Sequence, residues 1–107
     1  MKTTEQKKKE FVALMATNSY ALSDKKTSDG RDIYTRTWNK LANVVWQGQK
    51  EYSITIEVYE DFGYPIARIY HNGKLDGCRN YSSPKRAVNA IREIVTFAGY
   101  DYNEGVA

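Results

Sequence analysis

Ala67–Val95 reads ARIYHNGKLDGCRNYSSPKRAVNAIREIV, and this stretch decides the fold. Asn72-Gly73 supplies the two positive φ angles that a type I′ hairpin turn requires, so strands are expected over 66–71 and 74–81. The regular register from that turn pairs His71 with Lys74, Tyr70 with Leu75 and Ala67 with Cys78. Ser83 then stands as an N-cap and Pro84 at the first helical position. Ala87, Val88, Ile91, Ile94, Val95 and Ala98 fall on one helical stripe, and Gly99 suits the left-handed residue that ends a helix. Tyr100 can close back over Val95 in a Schellman contact.

Working toward the N-terminus, β-branched and aromatic residues are frequent from Ile33 to Tyr81, and turn signals recur. They predict further short strands near 33–38, 42–47 and 51–60, broken at Asn39-Lys40, Gln47-Gly48-Gln49 and Asp61-Phe62-Gly63-Tyr64-Pro65. Over 33–47 a helical stripe of Tyr34, Trp38, Leu41 and Val45 is an alternative to strands. Residues 3–20 read as a helix opened by a Thr3/Gln6 capping box, with Phe11, Leu14, Met15 and Leu22 inward and Lys7–Lys9 as a solvated face. Ser23–Asp32 has no apolar residue and reads as a mobile loop. Asp101–Ala107 has nothing to bury and reads as a fraying tail. The expected architecture is a single α+β domain over 1–107: an N-terminal helix, a four- to five-stranded antiparallel meander, and a C-terminal helix packed on the sheet.

Composition narrows the chemistry. The chain has 107 residues, 41% of them hydrophobic, one Cys, one His and a net charge of +3. One Cys rules out an internal disulfide and a structural zinc site. No apolar run reaches the ~18 residues of a membrane span, and no signal-peptide pattern follows the lysine-rich start, so a cytoplasmic protein is expected. The glycines stand singly, without a phosphate-cradling motif, and no metal-ligand spacing occurs. Cys78 and His71 lie four residues apart on the expected ladder, ~13 Å at strand rise, so they form no nucleophile–base dyad. Glu57 and Glu60 alternate to opposite faces and make no hydrolytic pair. The reading is a non-enzymatic chain, with no cofactor, no metal and no catalytic residue.

Charge is uneven along the chain. Residues 51–65 carry four acids and no base, whereas 66–92 carry Arg68, Lys74, Arg79, Lys85, Arg86 and Arg92 against Asp76 alone. Strand alternation puts Arg68, Tyr70, Arg79 and Tyr81 on one face of the hairpin and Ala67, Ile69 and Cys78 on the other. If the small apolar trio packs under the closing helix, Arg68, Tyr70, Arg79 and Tyr81 form an exposed platform beside Tyr59 and Thr55. Arginine and tyrosine are frequent interface anchors, and the same pair stacks on bases and grips phosphate. In the reverse arrangement Ile66, Tyr70, Leu75 and Tyr81 face the core, and the arginines reach past them by their aliphatic stems.

The segment from Ala67 to Val95 resembles the last two strands and second helix of a double-stranded-RNA-binding domain. That resemblance implies phosphate contacts at Lys85 and Arg86, while the third basic position of that pattern is Asn89. The same order resembles the three-stranded DNA-binding domains of plant transcription factors and phage integrases, which implies strand contacts from Arg68 and Arg79. In general character, short, tyrosine-rich and motif-free, the chain is similar to small phage proteins that inhibit host defences, anti-CRISPR proteins included. This resemblance implies a phage- or mobile-element-encoded binder that masks a host protein of a nucleic-acid-handling complex; the contact residues expected from the Arg/Tyr face and the start of the closing helix are Tyr59, Arg68, Tyr70, Arg79, Tyr81, Lys85 and Arg86. Direct DNA or RNA binding by the basic hairpin–helix segment is the alternative.

Overall fold

A computed structural model describes residues 3–46, 48–61 and 64–103. The chain runs α1 (Thr4–Thr17), β1 (Ala21–Lys26), β2 (Asp32–Val44), β3 (Gly48–Asp61), β4 (Tyr64–His71), β5 (Lys74–Asn80) and α2 (Pro84–Phe97). The five strands lie in the order β1-β2-β3-β4-β5, and every neighbouring pair is antiparallel. This is the expected α+β meander between two helices.

Period-2 alternation gives the sheet one apolar face. Trp38 of β2, Ile54, Ile56 and Val58 of β3, and Ala67 and Ile69 of β4 are buried on it. Phe11 and Met15 of α1, one helical turn apart, and Val88, Ile91 and Val95 of α2 complete the same cluster. Both helices therefore cover the same side of the sheet, and no described element packs over the other. The predicted caps form: Thr3 and Gln6 exchange side-chain-to-backbone hydrogen bonds, and Ser83 Oγ accepts from the Arg86 amide at 3.2 Å.

The two helices end alike. Ser19 (φ 62°) and Gly99 (φ 91°) reverse the chain in the left-handed region. The Tyr20 amide then donates to the Met15 carbonyl at 2.9 Å, and the Tyr100 amide to the Val95 carbonyl at 3.1 Å. Both tyrosines turn into the core. β2 reaches both helix ends from its helix-facing side: Arg36 donates to the Asn18 carbonyl at 2.7 Å, and Lys40 to the Ala98 carbonyl at 2.7 Å. A cation at each C-terminus satisfies a carbonyl that the helix leaves open and opposes the negative end of its dipole. At Gly99 an added Cβ would sit 2.8 Å from Lys40 Nζ, so the turn and the lysine constrain each other.

Three expectations are corrected. Residues 23–32 are not a loop throughout, because β1 occupies Ala21–Lys26 and β2 begins at Asp32, which leaves 27–31 as the connection. An edge strand can be held by ladder bonds with almost no burial, which is why it lacks an apolar signature. The turn behind it is fixed by a bond from the Thr27 amide to the Arg31 carbonyl and by Arg31, which donates to the Asp61 carboxylate and the Glu60 carbonyl. Second, Asn39-Lys40 is no break: 32–44 is one strand, in unbroken register with β3 from Tyr34 to Val44, and the helical alternative is gone.

The third correction concerns the tail. Tyr102 is buried, stacks on Trp38 at 5.3 Å, and its carbonyl accepts from Trp38 Nε1 at 2.9 Å and from Arg36. Of the turn expected at 61–65, Phe62 and Gly63 lie outside the described residues, as do Gln47 of the 47–49 break and residues 104–107 of the tail.

Candidate interaction face

β2 and β3 outrun their neighbours. β1 pairs with β2 only between Asp32 and Thr35, and β4 pairs with β3 only from Ile54 onward. Asn39–Val44 and Gly48–Ser53 are thus bonded to each other and project as a two-stranded arm. The arm helps to draw the molecule out to 55 × 26 × 23 Å.

The uncovered side of the sheet is built from the alternate residues of each strand. Thr35 and Thr37 of β2, Thr55, Glu57 and Tyr59 of β3, and Ile66, Arg68 and Tyr70 of β4 share it, by direct pairing of Thr37 with Thr55, Thr55 with Tyr70, Glu57 with Arg68, and Tyr59 with Ile66. Thr37 and Thr55 hydroxyls meet at 2.9 Å. The Arg68 guanidinium lies 5.1 Å from the centre of the Tyr59 ring, within cation–π range. Burial works against the Arg68 charge, but the phenolic oxygens of Tyr59 and Tyr70 support it, and the net effect raises its pKa. The Tyr70 hydroxyl is raised above the usual tyrosine range, first by burial and then by the Glu57 carboxylate, with Arg68 opposing. Tyr59, Arg68, Tyr70 and Glu57 form one interlocked, half-buried patch.

The expected platform is only half assembled. β5 carries a bulge: Tyr70 faces Leu75, but Ile69 faces Gly77, so Asp76 is an extra residue. The insertion exchanges the two faces beyond it. Cys78 faces Arg68 and is exposed on the open side, where a core position was expected. Arg79 faces Ala67 and moves to the helix side, away from Arg68. Tyr81 also leaves the platform, packing against the core cluster with its hydroxyl buried. Lys85 and Arg86 are exposed in the first turn of α2, on the helix layer. His71 and Cys78 point to opposite faces, so the absence of a dyad between them stands on the observed register as well.

Several exposed apolar residues were not among the expected contacts. Trp46 is 98% exposed and Val45 77% at the tip of the arm, with Leu41 on its flank at 62%. Phe97 is 95% exposed at the end of α2, beside an open groove of about 900 Å³ that also takes in His71 and Ile94. The signal for the arm was present in the sequence as an apolar run, Leu41 to Trp46, ending at a turn.

Comparison with protein-family models, with curated proteins and with solved structures finds no match for this chain.

Proposed function

We propose that this chain is a non-catalytic binding protein that acts by covering a surface of a protein partner, with Tyr59, Arg68 and Tyr70 as its anchors. The observation that carries this reading is the uncovered sheet face, on which one arginine is held between two tyrosines, with Glu57 beside Tyr70. Aromatic and arginine side chains that already brace one another lose less entropy on docking than isolated ones, which suits an interface hot spot. The partner class remains the one implied by the resemblance to small phage inhibitors: a host protein of a nucleic-acid-handling complex.

The distribution of charge favours a protein partner over direct contact with nucleic acid. Arg68 has Glu57 opposite it, while Arg79, Lys85 and Arg86 belong to the helix side. A phosphate-gripping surface would gather its cations along one track. The test is capture from nuclease-treated host lysate with the intact chain and with Tyr70→Ala. Capture of a protein by the parent chain alone supports the reading. Capture abolished by nuclease would replace it with the nucleic-acid alternative.

A further inference from the structure

The outermost strands of the sheet are protected against pairing. β1 carries Asp24, Lys25 and Lys26 and an irregular register between Leu22 and Lys26, and β5 carries Lys74, Asp76, Arg79 and its bulge. Charges and bulges are the usual devices that keep an edge from adding a strand. The arm adds two more edges: that of β3, which carries Lys50 and Glu51, and that of β2, which lacks such devices.

That edge is the side of β2 beyond Thr35, where β1 has ended. Its orientation follows from Ser53. The Ser53 amide donates to Asn72 Oδ1 and its carbonyl accepts from the Asn72 amide, each at 2.9 Å, so the main chain of Ser53 points away from β2. Asn39, directly opposite, must then point its own amide and carbonyl away from β3. By alternation the same holds for Thr37, Leu41 and Asn43. No described strand pairs with β2 beyond Thr35 on this side. From Thr37 to Val44 the sequence TWNKLANV contains one charge, no proline and no bulge, and that one charge, Lys40, is engaged by the Ala98 carbonyl.

We propose that this edge of β2 pairs antiparallel with the same edge of a second copy of the chain, across a two-fold axis through Leu41. Leu41 then meets Leu41 of the second copy and Asn39 meets Asn43, as hydrogen-bonded pairs, while Thr37 falls beside the turn that follows Val44. On the helix-facing side Lys40 falls opposite Ala42, so no like charges are opposed. Apolar residues meet apolar ones and amides meet amides, which is the self-complementarity that a two-fold interface demands. The pairing also brings the exposed Leu41 against protein, and it places the two open sheet faces side by side in one continuous sheet.

The test is sedimentation of the full chain with and without Leu41→Lys, which brings two ammonium groups together at the axis. The parent is expected to sediment as a dimer and the variant as a monomer with an unchanged circular dichroism spectrum. A second measurement uses Leu41→Cys in a Cys78→Ser background. Hydrogen-bonded antiparallel partners stand about 5.5 Å apart at Cα, within disulfide reach, so mild oxidation should give a covalent dimer. Leu75→Cys, similarly exposed on β5, should not cross-link. A monomeric parent, a dimer indifferent to Leu41→Lys, or cross-linking at position 75 in preference to 41 overturns the proposal. Tyr70→Ala leaves the dimer intact on this account, so loss of partner capture by that variant reports on the sheet face alone.

Discussion

Arg36 is bonded to Tyr102 across 66 residues of chain: its guanidinium donates to the Tyr102 carbonyl and lies 4.7 Å from the centre of the Tyr102 ring. The same group donates to Asn18, and the side chain is only 8% exposed. Arg36→Met keeps the length of the stem but strips donors from two partly or fully buried carbonyls. It should cost about 2–4 kcal/mol, since a buried acceptor left unsatisfied bears its full desolvation penalty. Chemical denaturation of parent and variant measures it. A change below ~1 kcal/mol would show that water replaces the arginine.

Cys78 faces Arg68 on the open side of the sheet, at the exposed edge strand. It should react with a thiol reagent in the native protein at nearly the rate seen in denaturant, because exposure governs access. Protection of the thiol by many-fold would mean that β5 continues in regular register and that Arg79 returns to the Arg68 face.

Binding should separate the two sides of the molecule. Arg68→Ala or Tyr70→Ala is expected to weaken partner affinity by about 2 kcal/mol or more without unfolding the chain. Arg79→Ala and Lys85→Ala, on the helix side, should change affinity by under ~0.5 kcal/mol. Calorimetric titration of each variant against the captured partner decides it. Equal, salt-sensitive losses from Arg79, Lys85 and Arg86 would instead indicate phosphate contacts.

The tyrosines make the fold sensitive to alkali. Tyr20 is held far above the usual tyrosine pKa, chiefly by burial and then by neighbouring Tyr102, and Tyr70, Tyr81 and Tyr100 are raised as well, with burial the leading cause in each. In the unfolded chain these phenols lose their protons near pH 10, while the folded chain still holds them. The folded state then binds more protons, so stability is full below about pH 10 and falls as pH rises beyond it. Tyr20→Phe should flatten that decline, as read from melting temperature against pH. An identical slope in the variant would remove Tyr20 from the account.

Ser83→Ala removes the acceptor for the Arg86 amide at the start of α2. The expected cost is about 1 kcal/mol, or a fall of about 5 °C in Tm for a domain of this size. An unchanged Tm would place the functional start of the helix elsewhere.

What could be read from the sequence was what depends on neighbours in the chain. The Asn72-Gly73 turn, both N-caps, the stripe of α2 and the Gly99 reversal are local chemistry, and all are present. β1 was missed because an edge strand with two exposed faces shows no apolar alternation. The bulge at Asp76 was missed because it depends on how β5 settles against β4, and one inserted residue was enough to move Cys78 onto the site and Arg79 off it. Arg36 and the tail stayed hidden for a related reason. A charged residue in a strand reads as solvated until the carbonyls it satisfies are known, and those come from residues 18 and 102.

The stitch that β2 makes to both helix ends has a consequence for how the chain is produced. Arg36 can take hold of Asn18 as soon as the first hairpin emerges from a ribosome, but Lys40 must wait for Ala98, and Arg36 and Trp38 for Tyr102. A nascent chain therefore carries a half-secured β2, with Trp38 not yet covered by Tyr102, until residues 98–102 have been made. Locking arrives only with the aromatic segment after α2. Until then, binding of the exposed Trp38 face by a chaperone competes with native closure.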